Sequence, residues 1–136
     1  MGLKLRLVED GKILFEIPIS PEDWVGDDLR HECHRFVEEV EEISKVFDAF
    51  TNDKRVRMMR SLLEDDDFML SFNDFLKDLN MNPKSVREHA ERLSEAGFLE
   101  HPDRGKYRLS ELGRRRFITA GLALRRILQF LDDYEW

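Results

Sequence analysis

The segment NPKSVREHAERL, residues 82–93, carries charged and hydroxyl side chains at helical spacing. Asn82 is typical of a residue that caps a helix, and Pro83 fits the first helical position. Val86, Ala90 and Leu93 recur with a helical period and predict a buried stripe. The positions that then point outward are Lys84, Ser85, Arg87, Glu88, Glu91, Arg92 and Glu95. Guanidinium, ammonium, hydroxyl and carboxylate groups of this kind can bind phosphates and base edges.

The same charges also fit a second arrangement, in which they pair with one another along the helix. At i,i+4 spacing Lys84 faces Glu88, Glu88 faces Arg92, and Arg87 faces Glu91. Each such pair stabilises a helix by only about 0.2–0.5 kcal/mol, so a long side chain can leave its partner for another. Self-pairing therefore does not exclude binding to a nucleic acid.

In a DNA groove, the first turns of this helix would hold the residues that read bases. Arg87 would pair with guanine, and Glu88 would accept a hydrogen bond from a cytosine amino group. Ser85 would contact a phosphate or a base edge, and Lys84 and Arg92 complete the candidate set. The neighbouring His89 lies beside the buried stripe, so we expect it to pack, with a phosphate contact as the alternative.

A short predicted helix precedes the segment of residues 82–93 and would fix its position in the fold. Ser71-x-x-Asp74 resembles a capping box, with Asp in place of the usual Glu or Gln, and predicts a helix over residues 72–79. Asn80 would end that helix, because Asn tolerates the left-handed backbone conformation. A tight turn then leads directly to the cap at Asn82.

An earlier helix begins after the capping residues Thr51 and Asn52 and ends at the acidic loop of residues 64–67. Its predicted apolar positions are Val56, Met59, Leu62 and Leu63.

Residues 98–100 and 107–109 predict two short paired strands after the capped helix. Arg104 and Lys106 lie at the tip of the hairpin between them and are candidates for phosphate or minor-groove contact. A solvated tip is the alternative. The run Arg114-Arg115-Arg116 fits backbone contacts and the charged shoulder of a helix equally well.

The chain of 136 residues is acidic, with a formal net charge of -7 and 38% charged residues, but the charge is unevenly placed. Residues 1–50 hold 6 Lys/Arg against 13 Asp/Glu, whereas residues 81–116 hold 9 against 6. The one basic region therefore contains the candidate binding residues. Local charge within a Debye length of about 8–10 Å matters most, so a basic patch on an acidic protein can still bind phosphate.

The N-terminal residues 3–17 alternate between apolar and polar and predict a β-hairpin. A three-residue loop Glu9-Asp10-Gly11 would set Lys4 opposite Glu16 and place six apolar side chains on one face. The predicted pairs are Leu3 with Ile17, Leu5 with Phe15 and Leu7 with Ile13. An isolated hairpin is marginally stable, so this face must dock on the chain's own helices, on a partner subunit or on an effector.

Apolar residues over positions 28–50 recur at alternating spacings of four and three, which predicts one long helix with a heptad seam. This seam could cover the chain's own core or pair with its copy in a dimer, and we expect both. Ser110 would cap a last helix over residues 111–134 that also contributes. The expected dimer-interface residues are Leu29, Cys33, Phe36, Val40 and Ile43 of the long helix, and Leu124, Ile127 and Leu131 of the last.

The sequence lacks the residues that several classes of function require. The single cysteine excludes an intrachain disulfide and zinc sites with two or more cysteines. His31 and His34, with Glu38 one turn on, are a weak metal signal, so we expect no metal and no cofactor. No catalytic arrangement emerges, and we expect no enzyme. There is no apolar run of membrane-spanning length and no signal peptide, so we expect a cytoplasmic, nucleoid-associated protein without a membrane partner.

The order of helix, short helix, turn, capped helix and two-stranded wing resembles the ArsR-like group of prokaryotic winged helix-turn-helix transcription regulators. The similar segments are FDAFTNDKRVRMM at 47–59, SVREH at 85–89, SEAGFL at 94–99 and YRLSELG at 107–113. The resemblance covers residues 47–116 and implies a homodimer, held by its terminal helices, on an inverted-repeat DNA site. Metal-sensing members carry Cys-x-Cys where this chain has FNDFLKDL, so metal sensing does not carry over. The N-terminal hairpin is also uncommon in that group.

The sequence therefore predicts a mainly α fold with small β elements, a winged helix-turn-helix with an added N-terminal hairpin and long terminal helices. We expect a hairpin and connection over 1–26, the winged helix-turn-helix with its long first helix over 27–116, and a dimerisation helix over 117–136. The expected function is that of a DNA-binding transcription regulator that acts as a repressor. We expect a prokaryotic source, specifically an archaeon, and the sequence identifies no effector. The alternative is a winged helix used for protein–protein interaction in basal transcription or replication machinery.

Overall fold

The N-terminal hairpin closes through a two-residue turn. The computed structural model describes residues 2–136. Strands β1 (Lys4–Glu9) and β2 (Lys12–Pro18) pair antiparallel. Between them, Asp10 and Gly11 have φ angles of 50° and 82°. Positive φ at both central residues is typical of a type I′ turn, which matches the twist of the two strands.

The register of this hairpin differs from the sequence prediction. The observed pairs are Leu5 with Ile17, Leu7 with Phe15 and Val8 with Ile13. The predicted pairing, with Leu7 opposite Ile13, is wrong because the left-handed Asp10 shortens the loop to two residues and the register shifts between Leu7 and Val8, as at a β-bulge. Arg6, and not Lys4, therefore stands directly opposite Glu16. The Glu16 carboxylate accepts hydrogen bonds from Arg6 Nε at 2.7 Å and from Lys4 Nζ at 2.9 Å.

The segment predicted as one long helix is two helices, α1 (Asp28–Glu38) and α2 (Val40–Phe50). Glu39 lies between them with φ -102° and ψ 7° and ends α1. Carboxylates at residues 38, 39, 41 and 42 crowd this point. Like charges at helical spacing, and negative charge at a helix C-terminus, both destabilise a helix. The prediction of an unbroken helix is therefore wrong at Glu39.

The described chain divides into two compact units, one that ends at Glu41 and one that begins at Glu42. None of residues 2–41 is buried, and Phe36 on α1 is 54% exposed. The core lies in the second unit. It is formed by α3 (Asp53–Glu64), α4 (Phe72–Asp78), α5 (Pro83–Glu95) and a small sheet. Its largest fully buried side chains are Met58, Met59, Leu62, Phe75, Val86, Leu93, Phe98 and Leu109.

The sheet of this unit has three strands rather than the two that the sequence predicts. Strand β5 (Lys106–Leu109) lies in the centre, with β3 (Met69–Ser71) and β4 (Leu99–Glu100) antiparallel on either side. The prediction missed β3, which is only three residues long and ends at Ser71, the cap of α4. Such a short strand exists through its hydrogen bonds to β5, which no local pattern reveals.

The last helical segment consists of α6 (Glu111–Arg116), a π-helical stretch (Phe117–Ala123) and α7 (Leu124–Asp133). The predicted cap is confirmed, since Ser110 Oγ accepts a hydrogen bond from Gly113 N at 2.8 Å. A side chain at Gly121 would place its Cβ 2.9 Å from the Phe50 ring, so glycine allows this segment to approach α2 closely. No helix within residues 2–136 is long and apolar enough to cross a membrane.

The first prediction compares two leucines of the second unit. We expect Leu93→Ala to lower the free energy of unfolding by about 2–5 kcal/mol, because truncating a fully buried leucine leaves a cavity. Leu112 is 47% exposed, and Leu112→Ala serves as the matched control with a cost of less than about 1 kcal/mol. Urea unfolding followed by circular dichroism gives both values. Similar costs for the two variants would contradict the assigned core.

Candidate nucleic-acid interface

The start of α4 is fixed by the predicted capping box, which the structure confirms. Ser71 Oγ accepts from Asp74 N at 3.1 Å, and an Asp74 carboxylate oxygen accepts from Ser71 N at 2.8 Å. The interaction of the Asp74 carboxylate with Ser71, first with its backbone N–H and then with its side chain, holds the pKa of Asp74 below its ordinary value. Two of the free N–H groups at this helix end are thereby satisfied.

The turn between α4 and α5 also follows the sequence prediction. Asn80 has a φ of 50°, the left-handed conformation expected where α4 ends. Asn82 caps α5 by accepting a hydrogen bond from Ser85 N at 2.8 Å, and Pro83 occupies the first helical turn. At the other end, Gly97 has a φ of 82°, and Phe98 N donates to the Leu93 carbonyl at 2.8 Å. This pattern is a Schellman motif, which ends α5 and sends the chain into β4.

The outward residues of α5 make fewer mutual pairs than the i,i+4 spacing allows. Lys84 Nζ lies 3.9 Å from the Glu88 carboxylate, and both side chains are largely exposed. Arg87 instead lies over the Phe72 ring of α4, with its Cζ 5.4 Å from the ring centroid. Arg92 instead pairs with Asp48 of α2, with Nη1 3.3 Å from the nearer oxygen.

A cleft lies between the start of α4, the face of α5 and the hairpin of β4 and β5. Phe72 and Tyr107 supply its aromatic groups, and Arg87, Arg104 and Lys106 supply its charges. No acidic residue lines this cleft. The structure therefore brings together three of the predicted binding cations from two separate parts of the sequence.

The hairpin tip that carries Arg104 and Lys106 is anchored to the helices. Phe72 N donates to the Gly105 carbonyl at 2.8 Å, so the tip is bonded to the start of α4. Across the hairpin, Arg108 pairs with Glu100 at 2.9 Å. The cleft therefore has a defined wall, and both Arg104 and Lys106 remain exposed on it.

The run Arg114-Arg115-Arg116 is tied to the protein itself. Arg114 lies over the Phe68 ring, with Cζ 4.3 Å from the centroid. Arg115 pairs with Glu111 on the same helix. Arg116 Nη1 donates to the Ala96 carbonyl at 2.8 Å, at the end of α5. These contacts favour the interpretation of the run as a structural helix shoulder.

A buried arginine that the sequence prediction missed connects three helices. The Arg55 side chain is 5% exposed, and its Nη2 donates to the Asp48 carbonyl at 2.7 Å and to Thr51 Oγ1 at 3.1 Å. Its Nη1 lies 3.1 Å from His89 Nδ1 on α5. Burial lowers the pKa of His89, and the charge of Arg55 lowers it further.

The spacing of Arg55 in the sequence could have shown that it is buried. The buried face of α3 is Arg55, Met58, Met59 and Leu62. Arg55 thus recurs at helical spacing with residues of the apolar stripe, and a charged residue on such a face is almost always paired. The predicted apolar positions Val56 and Leu63 are only half-buried, because the helix turns Met58 inward instead.

The residues expected at a dimer interface lie on both terminal segments. Cys33, Phe36 and Val40 are exposed. The others, Leu29, Ile43, Leu124, Ile127 and Leu131, are half-buried. None of these apolar side chains is fully covered within the single chain. On α1, His34 Nε2 lies 3.0 Å from Glu38, and residues 2–136 contain no group of three or more His, Cys, Asp or Glu side chains placed to hold a metal ion.

Comparison with known proteins gives structural matches only. No family model and no curated protein matches the sequence. The chain is similar to the homodimeric winged helix-turn-helix DNA-binding domain of a possible ArsR-family transcriptional regulator from Mycobacterium bovis. That match has a TM-score of 0.56 and 18% identity, and it covers 67% of this chain and 85% of the other.

Two further structures are similar over most of the chain. The AntR antimony-specific transcriptional repressor matches with a TM-score of 0.56 and 22% identity, over 82% of this chain and 96% of that one. A MarR family transcriptional regulator from Streptomyces coelicolor matches with a TM-score of 0.53 and 17% identity, over 82% and 84%. This chain is a winged helix-turn-helix protein. The resemblance to ArsR-like regulators is therefore confirmed at the level of the fold.

Within this fold, α4 and α5 are the two helices of the helix-turn-helix, and β4 and β5 form the wing. Strand β3 is bonded to the other edge of β5. In this fold the second helix of the pair is the one that can enter a DNA major groove. We refer to α5 as the recognition helix from here on.

The second prediction concerns acid stability at the α4 cap. The pKa of Asp74 is lower in the folded chain than in the unfolded one. Its carboxylate therefore stabilises the fold above its ordinary pKa of about 3.9, and this contribution is lost as the pH falls through the folded value. We expect Asp74→Asn, which cannot titrate, to lose less unfolding free energy than the wild type between about pH 6 and about pH 2.5. Urea unfolding across that range measures this, and equal acid sensitivity would contradict it.

Proposed function

We propose that this protein is a DNA-binding transcription regulator that acts as a homodimer and inserts its recognition helix into the major groove. The observation that carries the proposal is the cleft between the recognition helix and the wing. Arg87, Arg104 and Lys106 line it, and no carboxylate does. DNA presents one negative charge for every ~1.7 Å of its axis, and clustered Lys and Arg side chains bind it by releasing counterions.

The contacts divide between the recognition helix and the wing. Arg87 is aimed by the Phe72 ring and has a planar guanidinium that can pair with both acceptors of guanine. Ser85 is half-buried near the start of the helix, and Lys84 and Glu88 are exposed beside it. These residues would contact base edges and phosphates. Arg104 and Lys106 on the wing would contact the neighbouring backbone or the minor groove.

The overall acidity of the chain does not oppose this assignment. The residues of the cleft lie in the one stretch, 81–116, where Lys and Arg outnumber Asp and Glu. Local charge within a Debye length of about 8–10 Å matters most for a bound phosphate, so a basic cleft can bind DNA on a chain that is acidic overall.

Dimerisation would use apolar side chains that the single chain leaves uncovered. Phe36 and Val40 are 54% and 45% exposed, and Leu128 on α7 is 53% exposed. Burial of such side chains against a second copy stabilises a dimer by about 25 cal/mol per Å² of apolar surface, before the cost of association. A two-fold dimer would present two recognition helices about 34 Å apart, one turn of DNA, on an inverted-repeat site.

We further propose a repressor that acts in the cytoplasm at the nucleoid, in a prokaryote and specifically an archaeon.

A protein-interaction role is the second candidate, and one observation favours it. The hairpin of β1 and β2 exposes about half the surface of Leu7, Val8 and Phe15. Exposed apolar surface of this kind is typical of sites that bind another protein. In that case the winged helix would bind a protein of basal transcription or replication machinery rather than DNA.

The third prediction separates these candidates by charge removal on the recognition helix and the wing. DNA fragments selected from a genomic pool serve as ligands. We expect Arg87→Ala to weaken binding by about 1–3 kcal/mol and to relax base preference at one position. Lys84→Ala and Arg104→Ala should weaken binding to all sequences and reduce the salt slope by about 1 each. Fluorescence anisotropy across a salt series measures both quantities.

A matched control for these variants is Arg60→Ala. Arg60 is an exposed arginine on α3 that pairs with Glu64 at 3.0 Å and does not line the cleft. We expect it to bind DNA as the wild type does. If Arg87→Ala, Lys84→Ala and Arg104→Ala all bind with the affinity of the wild type, the DNA-binding proposal is wrong.

The fourth prediction concerns the dimer. We expect a homodimer at micromolar concentration, and we expect Phe36→Glu to convert it to a monomer, because a carboxylate buried in an apolar seam is left unpaired. Val25→Glu is the control, since Val25 is 77% exposed and lies outside the seam. Sedimentation equilibrium measures the mass of each protein. A wild-type monomer, or a dimeric Phe36→Glu variant, would count against α1 as the interface.

A further inference from the structure

The contact between Arg55 and His89 defines the protonation state of that histidine. Arg55 Nη1 and His89 Nδ1 are 3.1 Å apart. A guanidinium has only donors and keeps its charge in proteins, so the histidine nitrogen that faces it must be the acceptor. A hydrogen bond across this contact therefore requires a neutral His89 with its proton on Nε2.

The surroundings of His89 on each neighbouring helix favour the same state. Arg55 and Lys54 face it from α3, and Arg92 lies one turn further along α5. All three cations oppose a positive charge on the ring. Glu88 is the one neighbour among the causes of the shift that favours it. The carboxylate of Asp48 on α2 is committed to Arg92 at 3.3 Å and to Arg55 at 3.6 Å.

These contacts form a clamp, by which we mean Asp48, Arg55, His89 and Arg92. It ties the last turn of α2 and the first turn of α3 to the second and third turns of the recognition helix. The apolar stripe of Val86, Ala90 and Leu93 holds the helix on the core, but dispersion contacts are not directional. Hydrogen bonds to a rigid guanidinium fork are directional and can fix how the helix is rotated and advanced.

We propose that Arg55 is a positioning residue for the recognition helix and that it holds the helix in its DNA-reading position only while His89 is uncharged. This inference rests on the proposed DNA-binding function. Protonation of His89 removes the acceptor for Arg55 Nη1 and places two positive groups 3.1 Å apart. The second turn of the helix must then move away from α3. Lys84, Ser85, Arg87 and Glu88, which lie one turn before or beside His89, would move with it.

The consequence is a pH dependence opposite to that of ordinary DNA binding. Protonation of exposed histidines adds positive charge and strengthens attachment to phosphate as the pH falls. Loss of the clamp would weaken binding over the same range. Because the pKa of His89 lies below its ordinary value of about 6.5, we expect wild-type affinity for selected DNA to fall, by less than about tenfold, between about pH 7.5 and about pH 5.5 at constant ionic strength.

The decisive variant is His89→Asn. The amide oxygen of asparagine can accept the hydrogen bond that Nδ1 accepts, and asparagine does not titrate. We expect it to bind like the wild type at about pH 7.5 and to lose the fall in affinity at lower pH. His101→Asn is the matched control, because His101 lies on the wing against Tyr107, with ring centroids 4.7 Å apart, and not against Arg55. That variant should keep the wild-type fall.

A measurement without DNA tests the protonation state of His89 directly. In the free protein, nitrogen NMR of labelled histidine should show His89 as the Nε2–H tautomer at neutral pH, with a pKa below the ordinary histidine value of about 6.5. Arg55→Lys keeps the charge but cannot make the same set of hydrogen bonds, and we expect it to bind DNA at least about tenfold more weakly at about pH 7.5. Circular dichroism at each pH confirms that every protein compared is folded.

The outcomes separate the inference from the proposed function. If the wild type binds no DNA at about pH 7.5, the proposed function is wrong and this inference falls with it. If the wild type binds DNA, and wild type and His89→Asn have the same pH profile, the inference alone is wrong. A doubly protonated His89 at neutral pH, or full DNA affinity of folded Arg55→Lys, also overturns the inference alone.

Discussion

The burial of one stripe of α5 is the constraint on which the rest of the site depends. Val86 and Leu93 have no exposed surface, and Ala90 has almost none. A helix with one face fixed in this way has its opposite face fixed as well, because side chains three and four apart share a side. The directions of Ser85, Arg87 and Glu88 thus follow from apolar packing. The Schellman motif at Gly97 then sets where the wing begins relative to that face.

Features determined by local chemistry could be read from the sequence. The capping box at Ser71, the left-handed Asn80 and the cap at Asn82 all occur where predicted. Each involves residues within three positions of one another, so a short window of sequence contains the whole interaction. Features that need a distant partner or a backbone alternative could not be read in this way. Strand β3 exists through its pairing with β5, and the hairpin register depends on the left-handed Asp10 together with a register shift between Leu7 and Val8.

The candidate site shows the same contrast between features set by local sequence and features that need a distant partner. Exposure of Lys84, Arg104 and Lys106 follows from the helical period and the hairpin tip, and the sequence predicted it. What those residues meet in space did not follow. Arg55 and His89 are 34 positions apart, and Arg92 and Asp48 are 44 apart. A helical wheel shows which side of a helix a residue occupies but not which side chain of another helix it faces.

Two arginines of this protein, Arg60 and Arg55, consequently have different physical roles. An exposed ion pair such as Arg60 with Glu64 contributes about 0.2–1 kcal/mol, so an exposed cation can exchange its partner for a phosphate at little cost. Arg55 cannot do so. Its guanidinium is buried, and removal of one partner from a buried charge costs about 3–5 kcal/mol. Such a residue keeps its geometry while exposed neighbours change theirs. This winged helix therefore holds both kinds: exposed cations that can exchange their partners, and a buried one that cannot.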